Sequence, residues 1–190
     1  MEPTLVLSDF IGLPVPAAPR TAGLHLVIGS RLLPAWMLAS LCPLLTGDNS
    51  VFWIEGRHGF DAHALGKMAR ARGMDPRNVL SRVQLARPFS AFQMETLITK
   101  KLPAATRPPF RPVILSDPLS LFYDEELPEK DARRTFSGFL DGLKNLSVPV
   151  LGLVVERESP RRRFLDELLK ISRGTARLTK DELFPKLETT

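Results

Sequence analysis

The sequence predicts an α/β fold, a mainly parallel twisted sheet with helices on both faces. Short apolar runs alternate with amphipathic helical patterns, as strands linked by crossover helices require. The runs are apolar at nearly every position, so they suit strands covered on two sides. With 190 residues, 44% apolar and 25% charged, the chain is long enough for one domain with a sizeable core.

Five strands are expected: Leu24 to Ile28, Val51 to Glu55, Val83 to Arg87, Val113 to Asp117 and Val148 to Val155. Asp61 is placed to cap a helix carrying Leu65, Met68 and Ala69 on one side, with Gly73 placed to end it. From Glu129 to Leu146, the positions Ala132, Phe136, Phe139, Leu140, Leu143 and Leu146 repeat at helical spacing and predict a helix docked on the sheet. Phe164, Leu165, Leu168, Leu169 and Ile171 predict a last helix, followed by a short basic tail. Residues 1–22 form a proline-rich arm with room for one edge strand at Leu5 to Leu7; residues 23–175 form the α/β domain and 176–190 the tail.

The segment from Leu24 to Leu45 is apolar, but Arg31, Pro34 and Pro43 argue against a membrane span, and a cytoplasmic location is expected. Cys42 is the one cysteine and reads as a small packed side chain. His25, His58 and His63 lack the company of a metal site, and no glycine-flanked serine marks a nucleophile. The net charge of +5 is unevenly spread: Arg57 to Arg87 holds seven Lys or Arg against Asp61 and Asp75, whereas Asp124 to Asp131 is acidic.

In a parallel sheet, ligands bind at the carboxyl ends of the strands. After the first strand the chain reads Gly29-Ser30-Arg31-Leu32-Leu33-Pro34-Ala35-Trp36. A phosphate loop of the form GxxxxGK(S/T) needs glycines whose amides curl round phosphate, a lysine to neutralise it and a hydroxyl for magnesium. Gly29 occupies the first glycine position, but Pro34, Ala35 and Trp36 take the other three. Further along come Val51-Phe52-Trp53-Ile54-Glu55-Gly56-Arg57, then Gly73-Met74-Asp75-Pro76 with Val79-Leu80, Leu85-Ala86-Arg87, Gln93-Met94-Glu95-Thr96-Leu97, and Val113-Ile114-Leu115-Ser116-Asp117.

In colinear order over about residues 24 to 156, these stretches resemble the RecA/RadA recombinase superfamily. The resemblance implies a RecA-like P-loop NTPase core with a degenerate phosphate loop. It places Arg57 where the family carries the glutamate that activates water, Asp117 where a strand-end aspartate helps hold magnesium, and Glu156-Arg157 where an asparagine-glutamine pair senses the nucleotide. Only Asp117 keeps its expected identity; with no lysine or glutamate beside it, its expected role is to cap the next turn. The chain is therefore expected to lack ATPase activity, with no catalytic residue and no cofactor.

The function that follows is a non-catalytic accessory role in DNA repair or recombination, exercised by binding a recombinase, a repair polymerase or single-stranded DNA. Relatives of the ImuA type offer the analogy. Arg157, Arg161, Arg162 and Arg163 are the candidate DNA contacts, and Phe10 the candidate docking residue on a neighbouring core. A homo-oligomer or a hetero-oligomer with a RecA-like partner is expected, and no membrane. The alternative is a protein-binding regulator without a DNA role, like the SulA-type division inhibitors.

Overall fold

The computed structural model describes residues 22–47, 49–57, 59–106 and 111–178. Phe10, His58 and the segment Leu5 to Leu7 lie outside the described residues. Six parallel strands form one sheet in the order β3-β2-β4-β5-β1-β6: β1 (Gly23–Gly29), β2 (Val51–Glu55), β3 (Val83–Ala86), β4 (Val113–Ser116), β5 (Pro149–Val155) and β6 (Gly174–Leu178). The connecting helices are α1 (Leu33–Leu41), α2 (Ala62–Ala71), α3 (Pro76–Ser81), α4 (Ala91–Thr96), α5 (Leu102–Ala105), α6 (Glu129–Lys144) and α7 (Arg163–Ile171), with a π turn at Leu97–Lys101 between α4 and α5. All five predicted strands are present, within a residue of the expected bounds.

Strand alternation sorts the side chains into two cores. On one face Leu26 and Ile28 of β1 join Val150 and Val154 of β5, Leu115 of β4, and α4, α6 and α7. On the other, Val27, Leu153, Ile114 and Trp53 meet α1, α2 and α3. Register keeps these sets aligned, since Val27 pairs with Leu153 and Ile28 with Val154; a slip of one residue would send each set to the wrong face.

The helix signals act as their chemistry dictates. Asp61 accepts the Ala64 amide at 2.8 Å as the N-cap of α2, and Gly73 ends the helix at φ 70°. All six apolar positions of the Glu129 to Leu146 stripe are buried. Phe136 of α6 stacks on Phe164 of α7 at 4.3 Å, and Phe122 meets Phe136 edge-on at 5.0 Å. Cys42 is fully buried, as expected of a packing thiol.

One expectation changes. The residues after α7 are not all tail: Gly174–Leu178 pairs in parallel with β1, so the sheet runs past the expected boundary at 175. Gly-Thr-Ala-Arg-Leu has only moderate strand character, and its buried positions are partial, as suits an edge strand. No helix among the described residues is long and apolar enough to cross a membrane.

Candidate functional site

Parallel strands bring the loops after β1, β2, β4 and β5 to one edge, which gathers the positions flagged in the sequence. From β1 the chain departs into α1 on one face; from its neighbour β5 it departs toward α7 on the other. A crevice at such a divergence is where α/β proteins take ligands.

Here the β2–α2 loop comes close to the start of α1. Pro34 is buried at the start of α1, against the β2–α2 loop: a Cβ on Gly59 would stand 3.1 Å from Pro34 Cβ and 3.3 Å from Ser116 Oγ. Ala35 faces solvent, and Trp36 is turned into the core, only 6% exposed. The α1 N-terminus has no side-chain cap and no acidic residue in its first turn, and Leu33 N–H is taken by the carbonyl of Ser30 at 3.0 Å. Where a phosphate loop presents amides, a lysine and a hydroxyl, this one presents a proline ring, a methyl group and core indole.

At the end of β2 stands Glu55, 2% exposed. Its carboxylate accepts the amides of Gly59 at 3.2 Å and Phe60 at 2.8 Å, and also pairs with Arg87 at the end of β3. A buried carboxylate is held only by such multiple donors. Glu55 thus ties down the loop that presses on Pro34. Glu55 and Arg87 stand in the strand-end motifs of the sequence but were assigned no site role; the signal for one was an acid ending an otherwise apolar strand, which demands a cationic or amide partner. Arg57 is exposed and makes no ion pair among the described residues, though its charge reaches Asp117.

Asp117 is 3% exposed and has φ 50° and ψ 50°, the only non-glycine with positive φ among the described residues. Aspartate tolerates this left-handed conformation better than most residues. The turn brings its carbonyl against Gly56, where any Cβ would collide with that oxygen and stand 3.0 Å from Pro118 Cα. The side chain does not cap the following turn, so that role is corrected: the Ser120 hydroxyl instead donates to the Asp117 backbone carbonyl at 2.8 Å. The carboxylate pairs with Arg157, while Oδ1 and the neighbouring Ser116 Oγ are buried without a hydrogen-bond partner at good geometry among the described residues. Burial pushes the Asp117 carboxyl above its usual range, and the adjacent Arg157, the Val155 backbone and the Arg57 charge offset part of that rise.

Glu156 pairs with Arg177 of β6, so both members of the Glu156-Arg157 pair are engaged. The expected row of DNA-gripping arginines is broken up. Arg161 is 9% exposed and points inward, with Nη1 donating to the carbonyls of Phe122 at 2.9 Å and Asp124 at 2.6 Å, Nη2 to that of Leu127, and Nε to Glu129 at 3.2 Å. Its guanidinium holds the loop before α6 in place and is a structural group. Arg163 pairs with the same Glu129, with its guanidinium 4.9 Å from the Phe164 ring centre. Of the triple arginine only Arg162 is exposed and outside every ion pair among the described residues. Neighbouring residues on a turn and helix start point in different directions, and distant acids decide which are neutralised.

The molecule is thus defined as an α/β protein with an all-parallel six-stranded sheet that gathers Pro34, Glu55 and Asp117 near its strand ends. No protein-family model and no curated protein matches this chain.

Proposed function

We propose that this chain is a RecA-like accessory protein of DNA repair or recombination that acts by binding and does not hydrolyse ATP. The observation that carries this reading is the packing of Pro34 against Gly59 at the strand ends, where the resemblance puts the nucleotide phosphates. Beside it, Arg57 occupies the water-activating position and Asp117 is committed to Arg157. Strands β2, β4, β5 and β1, the four after which the resemblance puts nucleotide groups, lie side by side in the sheet and end together. Their colinear motifs support the superfamily assignment, and the substitutions support loss of turnover.

Calorimetry with magnesium-ATP tests the first half: no binding heat is expected at millimolar nucleotide, and saturable binding would overturn it. The second half is tested in a host lacking the gene. Survival or induced mutagenesis after ultraviolet irradiation should change at least severalfold, and an unchanged response would return the chain to the alternative of a protein-binding regulator.

A further inference from the structure

The stretch from Arg57 to Arg87 holds seven basic and two acidic residues, a surplus of five that equals the net charge of the whole chain. The fold turns this stretch into one side of the molecule, α2 and α3 over one face of the sheet and β3 at its edge. On α2, His63, Lys67 and Arg70 are spaced i, i+4 and i+7, so they form one exposed stripe opposite the buried Leu65 and Ala69. Arg72 and Arg77 are exposed at the α2–α3 junction, and Arg82 leads from α3 into β3.

The two acids do not neutralise this surface. Asp61 accepts the Ala64 amide and Asp75 the Arg77 amide, each spent on a helix N-terminus. Among the described residues, Arg87 alone of the seven cations has an acidic partner, and that partner, Glu55, is buried while Arg87 stays 41% exposed. Just past β3, at the carboxyl end of this sheet edge, Phe89 is 77% exposed. The Phe89 amide donates to Gln93 Oε1 at 2.7 Å, which fixes the backbone beneath the free ring.

Cations without acidic partners over one face, with an open aromatic ring past the carboxyl end of the same edge strand, have the chemistry of a single-strand surface, with phosphates held by charge along the face and an unstacked base laid on the ring at its end. Duplex DNA gives such a ring nothing to stack on, since its bases are already stacked. We propose that the α2–α3 face and the β3 edge bind single-stranded DNA, with Lys67, Arg70, Arg77 and Arg82 holding the backbone and Phe89 stacking a base. The proposal rests on the accessory-protein reading above and replaces Arg161 to Arg163 as the contact.

The test is fluorescence anisotropy of a labelled thymidine 20-mer and of a matching duplex, across a salt series with the full chain. The parent should bind the single strand more tightly, with affinity falling steeply with salt. Changing Lys67, Arg70 and Arg77 together to alanine should flatten the log-log salt slope by about two units, at roughly 0.7 per phosphate contact. Phe89→Ala should weaken binding roughly tenfold and leave the slope intact. Arg162→Ala, on the other side of the sheet, should change neither. Circular dichroism checks that each variant is folded. Salt-insensitive binding, an unaltered triple variant, or equal duplex affinity indifferent to Phe89→Ala would overturn the proposal. If DNA binding fails while the gene-deleted host remains sensitive to ultraviolet light, this surface is rejected and the accessory role stands through protein partners.

Discussion

Two arginine-rich regions of this chain behave in opposite ways. Between Arg157 and Arg163 the arginines are adjacent in sequence, yet the fold uses most of them internally: Asp117 lies 40 residues from Arg157, and Glu129 takes both Arg161 and Arg163 from more than 30 residues away. In α2 and α3 the basic residues are spread along the chain, yet they stay exposed because their only local acids cap helices. Clustering in sequence therefore says little about free charge. What counts is which acids the topology delivers.

The largest expected effect lies in the first region. Arg161→Ala removes the donors for the carbonyls of Phe122, Asp124 and Leu127 and leaves one buried and two part-buried acceptors unpaired. Losing such a network costs roughly 2–4 kcal/mol. Urea unfolding should show a loss of unfolding free energy of that size, whereas Arg162→Ala should sit within about 0.5 kcal/mol of the parent. Equal, small effects at both positions would erase the contrast.

This contrast also marks how far the sequence is legible. Strands buried on both faces and the α6 stripe leave period and composition signals that depend only on near neighbours, so β1, β2, β4, β5 and α6 could be read directly; edge strand β3, half-exposed, still carries apolar residues at Val83, Leu85 and Ala86. Edge strand β6 could not, because a half-covered strand such as Gly-Thr-Ala-Arg-Leu needs little apolar patterning. At the candidate site, Pro34, Ala35 and Trp36 announced that a phosphate loop was missing. That Pro34 would press on Gly59 was hidden, as was the Glu55–Arg87 pair, since each joins residues from different strands and loops. Arg161 was misplaced for the same reason: its partners are backbone carbonyls, which carry no sequence signal.

An intermediate effect is expected at Asp117. Its folded pKa is raised, so the folded state holds the proton more tightly than the unfolded chain. Stability from this group is therefore full at low pH and lost as pH rises from the ordinary carboxylate value through the raised one. Arg157→Gln removes the main opposing charge, which should drive the carboxyl higher and widen that loss toward neutral pH. Urea midpoints from pH 4 to 7 should fall more for Arg157→Gln than for the parent, while Asp117→Asn should abolish this part of the pH dependence. Parallel curves for all three would show that the pair is a surface contact despite its burial.

The smallest effect belongs to the exposed cations, and it decides whether the α2–α3 face is really unneutralised. Lys67 lies on the solvent side of α2, three residues before Arg70 and four after His63. If it has no acidic partner, Lys67→Glu removes a like charge from a basic surface and places a carboxylate at i, i+3 from Arg70. Such pairs contribute about 0.2–0.5 kcal/mol. The variant should thus be as stable as the parent or more stable by a few tenths of a kcal/mol, and added salt should narrow the gap by screening. A loss above about 1 kcal/mol would mean that Lys67 holds a structural partner. In that case the two regions would differ in degree alone, and the surplus charge of the chain would have to be sought on another surface.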